Sequence, residues 1–266
     1  MYEKYWSLND RPFRNTPDPH YLCFTRQHEE GLTRMLYAII EGHGAMMLTG
    51  DYGCGKTLLT HILIDELDPA RFELALVRYP HLAADDLLRE IMRQFGYETA
   101  GMDKGQVVRL LQDFLLFTHN RGARAIVIID EAQMVADRSA LEEIRLLLNF
   151  QQDRRFLLTL FLVGQPELRQ RIADLPQLQE RLSIRYHIGA FDEEESLRYL
   201  AHRLEIAGGT HEIFTREAER LLVAACQGIP RRINNVADLS LLVGYGQQAP
   251  VVDEEIVQRV LMDMEV

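Results

Sequence analysis

The chain has 266 residues, of which 47% are hydrophobic and 26% charged, values typical of a globular protein whose core needs no disulfide or metal. Its formal net charge of −11 gives no overall attraction to nucleic acid or anionic lipid, although it leaves room for a local basic patch. The three cysteines are far apart and form no CxxC pair, which argues against a zinc site or disulfide framework and suits a reducing cytosol.

The N-terminal region predicts an irregular arm followed by an amphipathic helix. Residues 1–22 are rich in proline and aromatic residues, and they lack the apolar run of a signal peptide. Apolar residues at helical spacing predict a helix over about 26–41, which Gly42 and Gly44 end. No segment approaches the ~20 apolar residues of a membrane span, so we expect a cytoplasmic protein with no membrane span in this chain.

From residue 45 the pattern alternates between strands and helices. The apolar run 125–129 is typical of a strand that is buried on both faces of a parallel sheet. Together these segments predict an α/β sheet with helices on both sides. The predicted strands are 45–49, 73–79, 125–129, 157–163 and 185–189, and the predicted helices are 56–67, 84–95, 105–119 and 139–151.

After about residue 190 only helical patterns occur. Asp192 and Glu195 form an Asp-x-x-Glu capping box, and Thr215 and Asp253 are placed to cap later helices. A further helix is expected over about 231–243. Residues 190–266 contain 14 acidic and 7 basic residues, so this predicted small helical domain carries much of the negative charge.

The segment that follows the first strand matches a phosphate-binding loop. Residues 50–57, Gly-Asp-Tyr-Gly-Cys-Gly-Lys-Thr, fit G-x-x-x-x-G-K-[ST] at every fixed position, after a strand and at the start of a helix. The glycines and the helix N-terminus direct N–H groups at phosphates, Lys56 reaches the β and γ phosphates, and Thr57 holds Mg²⁺. The residues expected to bind the nucleotide are Gly50, Asp51, Tyr52, Gly53, Cys54, Gly55, Lys56, Thr57 and Leu58.

Two further elements favour ATP hydrolysis. Asp130 and Glu131 follow the apolar strand 125–129, as in a Walker B motif, where Asp130 holds Mg²⁺ and Glu131 is the general base. Adjacent carboxylates also cap helices, but the strand and the spacing from the loop favour catalysis. Gln165 follows strand 157–163, where it either senses the γ-phosphate or is a turn residue before Pro166.

In this order, the motifs resemble those of the AAA+ ATPases, and in particular the ExeA/GspA-type ATPases of the general secretion pathway. The resemblance covers nearly the whole chain. It rests on Tyr5-Trp6-Ser7-Leu8, Pro12-Phe13, Thr16-Pro17-Asp18-Pro19-His20-Tyr21-Leu22, Gly50–Thr57, Asp130-Glu131-Ala132-Gln133, Val163-Gly164-Gln165-Pro166-Glu167-Leu168 and Gly228-Ile229-Pro230-Arg231-Arg232-Ile233-Asn234.

The resemblance implies a five-stranded parallel sheet followed by a helical lid. The nucleotide-binding domain would span 1–189, including an N-terminal arm of 1–25, and the lid 190–266. Gln165 matches the sensor 1 position, and Arg231 matches the sensor 2 arginine, which reaches the nucleotide of its own subunit. Arg185 best matches the arginine finger that completes a neighbour's site, with Arg181 as second choice. The alternative for each arginine is a surface ion pair.

The resemblance also implies a function: Mg²⁺-dependent ATP hydrolysis by a homo-oligomer that assembles in the ATP state. A ring or a partial ring is expected, with a hexamer among the options. The partner would be a protein of a secretion, pilus or envelope-export system, reached at the inner face of the membrane. ATPases of this type usually continue into a transmembrane helix, so the chain is either a free-standing relative or an excised domain.

Two alternatives belong to other functional classes. The first is a DNA-associated regulator of transposition, like the TnsC/TniB ATPases, which share the AAA+ core. The nearest basic clusters, at Arg121 with Arg124 and at Arg154 with Arg155, are typical of solvated turns, so we expect at most weak DNA binding. The second is an inactive nucleotide-dependent scaffold, which the intact motif residues argue against.

Overall fold

The computed structural model describes residues 1–16, 18–21 and 23–264. Pro17 and Leu22 of the opening motif, and residues 265–266 of the predicted lid, lie outside the described residues. The chain forms two compact units. The helical unit consists of Met1–Gln27, Asp51–Leu58 and Gly189–Val266, and the sheet unit of His28–Gly50 and Leu59–Ile188.

The sheet unit is built on five parallel strands, which confirms the predicted α/β sheet. The strands are β1 Ala45–Gly50, β2 Phe72–Val77, β3 Arg124–Ile129, β6 Leu158–Gly164 and β7 Ile184–Ile188. Their order across the sheet is β2-β3-β6-β1-β7, so β1, β3 and β6 are flanked on both sides and β7 is an edge strand. Their apolar sequences fit these positions, because a central strand of such a sheet is covered on both faces.

Seven helices accompany these strands in chain order. They are α1 Arg26–Ile40, α2 Lys56–Glu66, α3 Ala84–Gln94, α4 Lys104–Asn120, α5 Arg138–Leu147, α6 Glu167–Ala173 and α7 Pro176–Arg181. The core of the sheet unit lies between the strands and α3, α4 and α5, where Leu88, Leu111 and Ile144 are fully covered.

The structure differs from the sequence-based elements at two places in the sheet unit. The helix expected to reach residue 151 ends at Leu147, and a two-stranded hairpin follows, formed by β4 Gln151–Gln152 and β5 Arg155–Phe156. The helix does not continue through Phe150, because the Phe150 carbonyl accepts the N–H of Leu157, beside the hairpin, at 2.9 Å. Helices α6 and α7 were not predicted, since seven and six residues are too few to show a clear period.

The helical unit contains the four helices expected after residue 190. They are α8 Glu193–Ile206, α9 Arg216–Cys226, α10 Pro230–Gln247 and α11 Glu254–Asp263. The predicted caps are confirmed: Asp192 and Glu195 form a reciprocal capping box, and Thr215 and Asp253 each accept a backbone N–H. None of the described helices has the length and apolar character needed to cross a membrane.

The N-terminal arm packs on the helices of this unit. Tyr2, Trp6 and Phe13 are buried in the same core as the residues of α8–α11. The Trp6 indole Nε1 donates to the Leu241 carbonyl of α10 at 2.9 Å. The buried Arg203 guanidinium of α8 lies over the Tyr21 ring at 4.5 Å. Within the helical unit, the arm is therefore part of the core. The division of the chain into domains 1–189 and 190–266 stays a prediction.

Candidate active site

The phosphate-binding loop has a backbone shape that requires glycine at two positions. Gly53 and Gly55 have φ angles of +90° and +86°, in the region that residues with a Cβ rarely adopt. A Cβ on Gly53 would also lie 2.7 Å from the Arg231 Cβ. The two glycines therefore bend the loop tightly in front of α2, which begins at Lys56. This is the cradle that backbone N–H groups need for close approach to phosphate oxygens.

The side chains of the loop are arranged around Lys56 and Cys54. Lys56 is only 6% exposed, and its Nζ donates to the Asp51 carbonyl at 2.8 Å, so its charge is held within the loop. Cys54 is fully buried, and burial raises the pKa of its thiol. Cys54 is therefore a neutral packing residue, which supports the view that it is present because a small side chain fits. Thr57 is half-buried in the first turn of α2.

Arg231 lies beside the loop within the helical unit. It is the second residue of α10, and its guanidinium carbon lies 4.5 Å from the centroid of the Tyr52 ring. Tyr52 itself is 60% exposed. The structure thus brings the arginine predicted as sensor 2 next to a residue of the predicted phosphate-binding loop. The sequence showed this only through the family resemblance, because the two residues are far apart in the chain.

In the sheet unit, β3 delivers Asp130 and Glu131 at its carboxyl end. Asp130 is 6% exposed, and its Oδ1 accepts the backbone N–H of Glu131 at 2.9 Å. Glu131 has φ 49° and ψ 39°, a left-handed backbone that costs about 1–3 kcal/mol for a residue with a side chain. Such conformations cluster at functional sites, and here it marks the turn that begins the short 3-10 segment Ala132–Met134.

Two glutamine side chains donate hydrogen bonds to the Glu131 carboxylate. The Gln133 side-chain amide donates to Glu131 Oε2 at 2.5 Å, and the Gln165 amide donates to the same oxygen at 3.4 Å. Gln133 also accepts the backbone N–H of Gln165 at 2.9 Å through its own Oε1. The structure therefore brings the predicted residues Glu131 and Gln165 together. Sequence reasoning gave Gln133 no role, although its place two residues after an acidic pair at a strand end was a usable signal.

The two arginines considered as finger differ in their surroundings. Arg185 lies on the edge strand β7, is exposed, and donates to the Gln179 carbonyl at 2.6 Å. Arg181 donates to the Leu148 carbonyl at 2.9 Å and to Asn149 Oδ1 at 3.1 Å, and so braces the end of α5. Of the two arginines, the exposed Arg185 on the edge strand is the one whose position suits contact with a neighbouring subunit.

Arg185 also lines an open cleft of about 490 Å³ within the sheet unit. The same cleft is lined by Thr49, Arg169 and His187. The Arg169 guanidinium donates to the Thr49 hydroxyl at 3.0 Å. Sequence reasoning did not single out Arg169, because nothing in the sequence places it beside Thr49.

The basic residues considered for DNA binding are partly engaged elsewhere in the sheet unit. Arg121 forms an ion pair with Glu73. Arg124 donates to the Ile40 carbonyl at the end of α1 at 2.9 Å. Arg154 and Arg155 are exposed on the β4–β5 hairpin. All four arginines are exposed, and Arg121 and Arg124 are engaged in contacts within the sheet unit.

The AAA domain family matches residues 39–172, which include the predicted phosphate-binding loop, the acidic pair and Gln165. The chain belongs to the AAA family. This AAA protein is 35% identical over 253 residues to General secretion pathway protein A of Aeromonas hydrophila, which confirms the resemblance found from the motifs. The match covers 93% of the chain but only 45% of that relative, so the chain spans about half of its length.

Solved structures of other proteins share the fold. The ORC2 protein of Aeropyrum pernix, solved in ADPNP–ADP complexes, is 20% identical to the AAA protein with a TM-score of 0.69, and the match covers 97% of this chain and 72% of that chain. Drosophila ORC bound to DNA gives a TM-score of 0.73 at 20% identity, over 96% of this chain and 64% of that one. At this identity the likeness shows the fold alone.

Proposed function

We propose that this AAA protein binds Mg-ATP at Gly50–Leu58 and hydrolyses it to ADP and phosphate. The observation that carries the proposal is the loop itself, with Gly53 and Gly55 at positive φ and the Lys56 ammonium held within the bend. The glycines supply close backbone approach and Lys56 supplies the cation for the β and γ phosphates.

Each remaining residue has a role that its chemistry suits. Thr57 and Asp130 would hold Mg²⁺, which supplies charge neutralisation at the phosphates when bound. Glu131 is proposed as the base that takes a proton from the attacking water, and Gln165 as the side chain that senses the γ-phosphate. Arg231 would contact the nucleotide of its own subunit, a role that its position beside Tyr52 supports.

A titration tests the binding part of this proposal. Lys56→Ala should abolish tight Mg-ATP binding, because the loop loses its only side-chain cation. Lys4→Ala is the matched control, since Lys4 is an exposed residue of the N-terminal arm. Isothermal titration with Mg-ATP compares the variants. Near-wild-type affinity in Lys56→Ala would remove the basis for placing ATP in this loop.

We further propose that ATP drives assembly of a homo-oligomer in which Arg185 completes the site of a neighbouring subunit. An arginine supplied by a partner can be worth about 10³–10⁵ in rate. Arg185→Ala should therefore bind ATP and lose hydrolysis, and mixing it with Lys56→Ala should restore some phosphate release. The reason is that each mutant lacks a different half of the shared site. Arg181→Ala is the comparison variant, and a mixing series without recovery contradicts a role for Arg185 in trans.

The cellular role that we propose follows from the likeness to General secretion pathway protein A. The protein would act in the cytoplasm and use ATP-dependent assembly to remodel or regulate a protein partner of a secretion, pilus or envelope-export system. A pull-down with Glu131→Gln protein, loaded with ATP, tests this role. Partners from such a system should be enriched relative to a pull-down with Lys56→Ala protein. Enrichment of partners from an unrelated process would contradict the role while leaving ATP hydrolysis untouched.

A further inference from the structure

We propose that Gln133 is a positioning residue that holds the Glu131 carboxylate in its working orientation and couples it to the segment carrying Gln165. The inference rests on the proposed role of Glu131 as the base. The Gln133 side chain spans the gap between the two segments, with its Nε2 on Glu131 and its Oε1 on the backbone N–H of Gln165. One side chain thus joins the end of β3 to the residue after β6.

The bridge leaves the two carboxylate oxygens of Glu131 in different states. Oε2 accepts amide N–H groups from both Gln133 and Gln165. Oε1 accepts no hydrogen bond from any of the residues that the structure describes. Since a base needs an oxygen with open lone pairs facing the water, this arrangement fixes the carboxylate through Oε2 and reserves Oε1 for the proton.

The residues around Gln133 are shaped to hold it in this bridge. Gly164, the last residue of β6, provides the space, because a Cβ there would lie only 2.6 Å from Gln133 Oε1. The Gln133 backbone carbonyl accepts a bond from the Arg171 guanidinium of α6. The N–H of Met134 closes the turn by donating to the Glu131 carbonyl at 2.7 Å. Hydrogen bonds therefore hold both the nitrogen and the oxygen of the Gln133 side-chain amide, and also the backbone of the turn that carries Gln133.

The first test replaces Gln133 with a side chain of similar length that forms no hydrogen bond of this kind. Gln133→Met should lower kcat about 10–100-fold, the loss expected for a bond to a charged group, while ATP affinity stays at the wild-type value. Gln170→Met, on the exposed face of α6, is the matched control and should keep wild-type turnover. Wild-type kcat in Gln133→Met would overturn the proposal, as would a loss confined to ATP affinity.

The second test displaces the bridge without changing Gln133. Gly164→Ala places a methyl group against Gln133 Oε1 and should reproduce the loss of kcat with retained ATP binding. Gly246→Ala is the matched glycine control, because a Cβ there meets no atom within 4 Å. Thermal unfolding of each variant reports whether the fold is kept. A folded Gly164→Ala protein with wild-type kcat would contradict the bridge.

A double variant separates this inference from the proposed function. If Gln133 acts through Glu131, Gln133→Met should cause no further loss of kcat in a Glu131→Gln background, whereas independent effects would multiply. Multiplying effects would overturn the positioning role. If Glu131→Gln alone keeps wild-type turnover, the proposed base is wrong. If Glu131→Gln is slow but Gln133→Met keeps wild-type turnover, the base stands and only the positioning role of Gln133 is wrong.

Discussion

Trp6 is the residue whose truncation most directly tests the packing of the N-terminal arm. It is the only tryptophan and its side chain is 1% exposed in the core of the helical unit. Its ring meets the Tyr5 ring edge-on with centroids 4.9 Å apart, and its N–H donates to Leu241 of α10. Gly244, one turn further along α10, leaves the space that the indole fills, since a Cβ there would lie 2.8 Å from Trp6 Cζ2.

We expect Trp6→Ala to destabilise the helical unit by about 4–5 kcal/mol, the upper part of the range for removing a buried aromatic residue. The upper part applies because Gly244 has no side chain that can move into the cavity. The lost hydrogen bond and aromatic contact contribute roughly 1 kcal/mol each and are contained in that figure. Phe117→Ala is the control, because Phe117 is 64% exposed on α4 and should change stability by no more than about 0.5 kcal/mol.

Urea unfolding followed by circular dichroism measures the effect in both variants. In the wild-type protein the fluorescence of Trp6 reports the packing of the arm on α10, so its transition should coincide with the unfolding of the helical unit. A destabilisation below about 1.5 kcal/mol in Trp6→Ala would show that burial of the indole on α10 does not stabilise the helical unit as proposed. So would a Trp6 fluorescence transition that is complete before any loss of helix begins, since it would mean that the arm detaches while α8–α11 remain folded.

Three further predictions concern binding and reactivity. Arg231→Ala should weaken Mg-ATP binding about 10–100-fold by titration, whereas the exposed neighbour Arg232→Ala should not, and equal effects would contradict a nucleotide contact. The raised pKa of the buried Cys54 thiol keeps it neutral, so a thiol reagent at pH 8 should label it only after unfolding, and rapid labelling of the folded protein would contradict its burial. Duplex DNA should bind weakly at physiological salt in fluorescence anisotropy, and a submicromolar affinity with a steep salt slope would instead favour the transposition-type alternative.

Local sequence patterns were sufficient to predict most of the elements and the loop. The apolar run 125–129 predicted a central strand, because such a run is typical of a strand that is covered on both faces of a parallel sheet. The capping pairs predicted where helices begin, because their hydrogen bonds join residues three apart. The phosphate-binding loop was predictable since its glycines and Lys56 must follow one another in sequence.

The parts that the sequence did not predict depend on contacts between distant residues. The arm packs on α10 through Trp6 and Leu241, and no local pattern indicates that pairing. The bridge from Gln133 to Gln165 depends on β3 and β6 being neighbours in the sheet, which the chain order of the strands does not specify. The hairpin after α5 was missed because its strands have only two residues each.

The most direct test of the account is the rate of phosphate release by Glu131→Gln protein beside its affinity for Mg-ATP. The amide matches the carboxylate in shape but cannot accept the proton, so ATP should bind with wild-type affinity. Steady-state hydrolysis should fall about 10²–10⁴-fold, the usual contribution of a general base. A wild-type rate in this variant, with ATP binding intact, would show that the base lies elsewhere and would contradict the proposed catalytic site.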